Sequence, residues 1–469
     1  LIKRTLAEIA EMAGGKLHND TYGGVVVHGV SKDSRTLSPG NLYIPLIGEA
    51  FDGHRFAEAA FEGGASASLW QSDHPELPEG RPLVVVDDCL AALQRLAAAY
   101  KAQLSVRIVG ITGSNGKTTT KDLTAAVLST AYSVHKTSGN YNNHIGLPLT
   151  LLELSEDSDI AVLEMGMSGR GEIELLSSLA GPELAVITNI GDAHLLQLGS
   201  REEIARAKTE ILAGLQPGGT LVYNGDEPLM ELALAELAQS GDRPVDSYSR
   251  VRFGAGTGND LFPSGISMDR KESRFTLGAA GGREFAIPLL GAHNVLNALA
   301  AYAVGRHFGL DDSSIAKGLS GVKVTGMRIE VLEAPGGLTI WNDAYNASPT
   351  AMRAALALLH EAKGFERKYA CLGDMLELGP DEAELHREVG RFLDPAQVAG
   401  VFTFGPLSLH LAEGAKERFP EGTVWHFREK EELAHALQAV ASPRDVVLIK
   451  GSRGMRMEQI AAFVMQLGG

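Results

Sequence analysis

Gly110-Ile-Thr-Gly-Ser-Asn-Gly-Lys-Thr-Thr-Thr120 holds three glycines and a lysine between two regular stretches. The apolar run 106–111 leads into it and a helical stretch over about 117–128 leads out, so it reads as strand, Gly-rich turn and helix. That is the context of a phosphate loop. Gly113 and Gly116 let the backbone approach an anion closely, and amides of the loop (Ser114, Asn115) and of the first helical turn (through Thr119) point at it. Lys117 can reach between β- and γ-phosphates, and Thr118 is placed to coordinate Mg²⁺. One position departs from the general pattern: Ile111 stands where a glycine or alanine is usual, with Gly110 one residue too early. A second cluster, Gly254-Ala-Gly-Thr-Gly258, has Asn259 where a dinucleotide fingerprint needs its third glycine and reads as a loop.

Working outward, buried strands are expected at 160–163 and 185–188 with helices between, which argues for a mainly parallel sheet covered on both faces. The Gly-rich, alternating stretch 245–290 reads as an antiparallel insertion, followed by a helix over 293–308. Residues 1–104 read as a small α/β domain, with helices at 5–13 and 91–102 and strands at 42–46 and 83–86. Residues 324–469 alternate again, with strands at 338–341, 369–372, 401–404 and 446–449 and five helices. The expected fold is thus α/β in three domains: 1–104, a central phosphate-loop domain over 105–323, and a doubly wound, Rossmann-like domain over 324–469.

Phosphoryl transfer needs a metal to hold the phosphates and neutralise developing charge. Glu164 ends one candidate strand and His194 lies just past another, so both should project at the carboxyl edge beside the loop, with Asp192 competing for the same work. Lys208 lies on an amphipathic helix, where a solvated lysine is the default reading.

The whole chain sets bounds. With 469 residues, 44% hydrophobic and 21% charged, it has material for several cores. A net charge of −16 excludes binding nucleic acid through bulk charge and disfavours an anionic membrane. Two cysteines, Cys89 and Cys371, rule out a disulfide framework. The chain opens on Leu1 with no basic region before an apolar stretch, and no run of about 18 apolar residues occurs, so a cytoplasmic protein without membrane insertion is expected.

Several motifs resemble the Mur ligase family. Thr112-Gly-Ser-Asn-Gly-Lys-Thr118 looks like its phosphate loop, including the departure at Ile111, and Gly291-Ala-His-Asn-Val-Leu-Asn-Ala-Leu-Ala300 resembles its adenine-binding segment. Asn342-Asp-Ala-Tyr-Asn-Ala347, Leu372-Gly-Asp-Met-Leu-Glu-Leu-Gly379 with His386 downstream, and Lys450-Gly-Ser-Arg-Gly-Met-Arg-Met457 resemble the branch that adds D-alanyl-D-alanine. Asp33-Ser-Arg-Thr36, Gly48-Glu-Ala-Phe-Asp-Gly-His54 and Thr137-Ser-Gly-Asn-Tyr-Asn-Asn-His-Ile-Gly-Leu-Pro148 resemble its uridine-nucleotide domain and substrate loop.

The resemblance implies an ATP-dependent ligase that makes an amide through an acyl phosphate, with ATP and Mg²⁺ as cofactors. The implied partners are a UDP-MurNAc-tripeptide and D-Ala-D-Ala, with no nucleic acid, and a monomer is expected. It implies that Asn294, Asn297, Arg328 and Asp343 serve ATP. Thr118, Glu164, His194 and a carbamylated Lys208 would serve metal. Ser34, Arg35, Asn140, Asn143, Tyr345, Asn346 and Arg453 would serve the other substrates. Two alternatives remain: another superfamily member (an amino-acid-adding Mur ligase or folylpolyglutamate synthase), or a phosphate-loop ATPase that acts as a switch.

Overall fold

The strand ahead of the phosphate loop forms over Arg107–Thr112, and its helix runs over Lys117–Leu128. The structure, a computed structural model, describes residues 1–48, 51–241, 247–269, 272–278, 282–323 and 329–467. Arg107–Thr112 lies inside a six-stranded sheet, parallel throughout, in the order Ser249–Phe253, Thr220–Asn224, Leu184–Ile187, Arg107–Thr112, Ile160–Glu164, Val134–Lys136. The chain turns from one side of Arg107–Thr112 to the other after Ile160–Glu164, so this strand is the switch point, where the carboxyl edge opens into a crevice. Its residues 108–112 are fully buried, as both faces are covered by helices.

The antiparallel insertion is shorter than its pattern suggested. Pro263–Met268, Ser273–Leu277 and Glu284–Ile287 form it, whereas Ser249–Phe253 pairs parallel to Thr220–Asn224 at the edge of the main sheet. An edge strand is half-exposed, and its Ser-Arg-Val-Arg-Phe alternation imitates an antiparallel strand. The Gly254–Gly258 segment is a loop, its backbone wrapped on Asp226, whose carboxylate accepts from the amides of Ala255 and Gly256.

The C-terminal sheet runs Glu330–Glu333, Thr339–Asp343, Val446–Lys450, Lys368–Gly373, Gly400–Phe404, Val424–Phe427, parallel except for the first strand. The N-terminal sheet has five short strands, Lys16–Leu17, Leu83–Val86, Ala67–Gln71, Leu42–Tyr43 and Val30–Ser31, antiparallel only at the first pair. The strand expected over 42–46 ends at Tyr43 because Pro45 lacks the amide a ladder needs. Helix starts follow local chemistry: Thr5 and Glu8 form a capping box for Leu6–Ala13, Asp88 caps Cys89–Ala102, and Ser348 precedes Pro349 at the start of Pro349–Glu361. Both cysteines are buried thiols.

Candidate active site

The phosphate-loop helix starts differently from those three. Gly116, at φ 79°, precedes it with no side-chain cap, leaving the N-terminal dipole open toward the crevice. A Cβ on Gly116 would stand 2.5 Å from Asn297 Oδ1, and one on Gly113 would stand 1.9 Å from Thr188 Oγ1, so both glycines are required by close approach. The loop is tied to the neighbouring strand end: Ser114 N donates to Asn189 O, Asn115 N to Asn189 Oδ1, and Thr188 Oγ1 to Asn115 O. Lys117 arches over the loop and donates from Nζ to the carbonyls of Gly113 (2.7 Å) and Ser114 (3.2 Å).

Glu164 ends Ile160–Glu164 and is buried. Its Oε2 accepts from Thr118 Oγ1 at 2.7 Å and its Oε1 from Asn142 Nδ2 at 2.9 Å, which brings two of the expected metal ligands into contact. His194 lines the same cleft, and its Nδ1 is buried with no hydrogen-bond partner. Burial, with Lys208 and Lys117 nearby, pushes its imidazole down to about 4, so it is neutral at pH 7. Lys208 corrects the reading of a solvated lysine. It is fully buried on the inner face of Arg201–Thr209, its Nζ has no hydrogen-bond partner, and burial holds it well below the ordinary lysine value, helped by Lys117. The helix's amphipathic pattern hides this because the lysine sits on the apolar side, beside Ile204 and Ala207. Asp192, the competing carboxylate, instead accepts from Thr350 Oγ1 at 2.6 Å and bridges to the C-terminal region.

The C-terminal sheet turns its own carboxyl edge to this cleft. Asp343 and Lys450 are register partners on adjacent parallel strands, and Lys450 Nζ donates to Asp343 Oδ2 at 2.6 Å and to Asn346 O at 2.9 Å. The resulting cleft, of about 480 Å³, is lined from one side by Ser114 to Lys117, Thr119, Glu164, His194, Asn294 and Asn297, and from the other by Asp343, Tyr345, Asn346 and Lys450. Asn297 accepts from Thr120 Oγ1 and donates to Asn294 Oδ1, so the helix Ala292–His307 is bonded directly to the loop helix.

Asn140 and Asn143 also line the cleft, whereas Ser34, Arg35 and Arg453 are not among its lining residues. Arg35 is exposed and paired with Asp33, and Arg453 pairs with Glu458 at 3.1 Å. Arg328 lies outside the described residues. Sequence reasoning passed over Asn142, Asn189 and Lys450 as site residues. For Lys450 a signal was present: its motif and the Asp343 motif both follow apolar strands, and parallel pairing brings the two together.

The chain matches three family models, Mur ligase family, catalytic domain over residues 26–101, Mur ligase middle domain over 111–305, and Mur ligase, glutamate ligase domain over 327–453. It is 50% identical, over 98% of both chains, to a Bacillus subtilis (strain 168) protein named UDP-N-acetylmuramoyl-tripeptide--D-alanyl-D-alanine ligase. The chain belongs to the Mur ligase family. Among solved structures, this Mur ligase superposes on MurF from Acinetobacter baumannii with a TM-score of 0.89 and 30% identity, covering 99% of each chain. It also superposes on the MurF ligase of Thermotoga maritima in complex with ADP, with a TM-score of 0.81 and 28% identity over 94% and 98% of the two chains. Two Mycobacterium tuberculosis folylpolyglutamate synthase structures, 19% identical with TM-scores of 0.64 and 0.63, share the fold.

Proposed function

We propose that this chain is an ATP-dependent, ADP-forming ligase that joins D-alanyl-D-alanine to UDP-N-acetylmuramoyl-tripeptide, giving the UDP-MurNAc-pentapeptide precursor of peptidoglycan, ADP and phosphate. The observation that carries this reading is the cleft itself. A phosphate loop and a second sheet edge, bearing the Asp343–Asn346 and Lys450 motifs, converge on one space, in a chain similar over its full length to enzymes so named. An ATPase that only switches has no need of that second edge.

The tripeptide's terminal carboxylate attacks the γ-phosphorus of ATP, ADP leaves with the bridging oxygen, and the carboxylate becomes an acyl phosphate, since a carboxylate is itself a poor electrophile. The dipeptide's amine then attacks the acyl carbon and phosphate leaves. Catalysis is mainly positioning and charge stabilisation. Lys117 and the open helix N-terminus meet the charge on the transferred phosphoryl group. Asn294 and Asn297 serve the base, with Asp343 and Arg328 reaching the nucleotide from the C-terminal side.

Mg²⁺ fits the donors present. The Thr118 hydroxyl and Glu164 carboxylate offer hard oxygen, and the buried, unbonded Nδ1 of His194 offers a neutral nitrogen. Burial disfavours the ammonium form of Lys208 and so favours the free amine that reacts with CO₂, and as a carbamate it would add two oxygens to that set. Metal held by these residues would neutralise charge on the phosphates. We assign residues 1–104, through Ser34 and Arg35, to the UDP-sugar peptide, and Asn140 and Asn143 to its peptide end. Tyr345, Asn346 and Arg453 of residues 324–469 are assigned to the dipeptide, Arg453 to its carboxylate. No helix among the described residues is long and apolar enough to cross a membrane, and we expect a cytoplasmic monomer.

The test is phosphate release from MgATP with each substrate omitted in turn. Release that needs both, with the pentapeptide seen by mass spectrometry, supports the reading. A requirement for a different amine overturns the dipeptide assignment, and release with neither substrate favours the ATPase switch.

A further inference from the structure

Four described non-glycine residues hold a left-handed backbone: His194 (φ 68°), Ile329 (46°), Glu377 (65°) and Arg456 (49°). A side chain at Cβ disfavours that region, and such residues gather where a site over-determines them. His194 and Ile329 line the cleft, and Glu377 faces His194 across the boundary between the two sheets, Oε2 standing 4.0 Å from Nδ1.

The loop that carries Glu377 is held from residue to residue. Asp374 Oδ1 accepts from Ser408 N (2.6 Å) and Oγ (2.7 Å), Met375 N donates to His386 Nε2 (2.9 Å), and Leu376 N donates to Ser452 Oγ (2.9 Å). His386 donates in turn from Nδ1 to Glu382 O, which fixes it as the neutral tautomer that can accept from Met375. Beyond Glu377, Gly379 lies against Leu196, so close that a Cβ would stand 3.3 Å from Leu196 Cδ1. A loop this well anchored, with Asp374 turned inward to Ser408, presents the Glu377 carboxylate outward: its side chain is 63% exposed. A residue serving only to join the two sides would be expected to bury its charge in a close pair; this one stops short of hydrogen-bonding distance.

We propose that Glu377 holds the ammonium group of the incoming amine substrate beside the acyl phosphate, where it gives up one proton to solvent before the free amine attacks the acyl carbon, a role that rests on the ligase reading above. The amine arrives as a cation at neutral pH, and the acyl carbon it must reach forms beside Lys117 and His194. A carboxylate at the His194 edge of the cleft is where that cation is needed, and the nearby Lys117 ammonium would otherwise repel it. The neighbouring loop supplies the opposite charge. Arg453 follows Ser452, which binds Leu376 N, and Gly454 packs on Leu376, so an acid and a guanidinium stand on two loops tied together. An extended dipeptide spans about 7 Å, and its two ends carry the complementary charges.

The experiment uses the full chain with MgATP and UDP-muramoyl tripeptide. Hydroxylamine traps the acyl phosphate as a hydroxamate with no dipeptide present, so the two half-reactions are read separately. For Glu377→Gln the dipeptide KM is expected to rise about tenfold to a hundredfold, the loss of one charge-assisted hydrogen bond, with hydroxamate formation within about twofold of the parent. Glu377→Asp is expected to recover part of that KM. An unchanged dipeptide KM overturns the proposal. So does a parallel fall in hydroxamate formation and ligation, which would make Glu377 a latch on His194. A parent enzyme that forms no hydroxamate overturns the ligase reading, and this role with it.

Discussion

Single residues carry constraints here that their types do not advertise. Gly113 has Thr188 Oγ1 where a Cβ would go, and φ 143°. Gly113→Ala is expected to shift the loop and lower turnover by about 10²-fold or more, as a misplacement of about 1 Å does at a positioning site. Steady-state phosphate release checks it, and circular dichroism checks that the fold survives. Lys121 is a different case. It is buried on the loop helix, its Nζ donates to Thr137 O (2.9 Å), and Thr137 Oγ1 accepts from Glu164 N (3.0 Å). Its charge is answered by Asp122 at 3.6 Å, which Lys136 also meets at 2.7 Å. Lys121→Met is expected to cost about 1–3 kcal/mol in urea unfolding, from a carbonyl left without its donor. It should also raise the Mg²⁺ concentration needed for half-maximal rate, because Glu164 loses its support. Nothing in Gly-Lys-Thr-Thr-Thr-Lys marks the second lysine as buried.

At the scale of elements, one network staples three of them at the amino edge of the central sheet. Glu183, just before Leu184–Ile187, accepts from Arg107 Nε (2.7 Å) at the start of the neighbouring strand and contacts His307 Nε2 (2.9 Å) at the end of the helix Ala292–His307. Arg107's hydrogen bonds hold its carboxyl at about 2, below the ordinary 4.5. A depressed carboxyl stabilises the fold fully above its unfolded value, and the contribution is lost as pH falls from about 4.5 through about 2. Glu183→Gln is therefore expected to lower Tm at pH 7, with the gap from the parent closing as the pH is taken down toward 2. The effect is modest because Arg107 and Glu183 are both partly exposed. A gap that widened in acid would contradict the assignment. Strands with both faces buried, such as Ile160–Glu164, were legible from their apolar runs, while the edge strand Ser249–Phe253 was misassigned to the insertion because its exposed face alternates.

For the whole molecule, the decisive geometry is two parallel sheets presenting carboxyl edges to one cleft, joined by Thr350 to Asp192 and Leu196 to Gly379. A nucleotide bound there would contact both sides and stabilise the folded chain. MgATP at about 100 times its Kd should add about 2.7 kcal/mol and raise Tm by a few degrees. Asn297→Ala should remove most of that increment while leaving the ligand-free Tm within a few degrees of the parent. Differential scanning calorimetry reads both, and an undiminished increment would remove Asn297 from the nucleotide site.

From its sequence alone this protein's α/β class, its phosphate loop and its family resemblance could be read, because each rests on local order: a buried apolar strand, a glycine-bearing turn, and a helix whose first turn is left uncapped. The pairing of Asp343 with Lys450, the burial of Lys208 and Lys121, and the meeting of Glu377 with His194 were decided only in three dimensions. Parallel sheets bond strands distant in sequence, 107 residues apart for Asp343 and Lys450, and a helix's buried face depends on what packs against it.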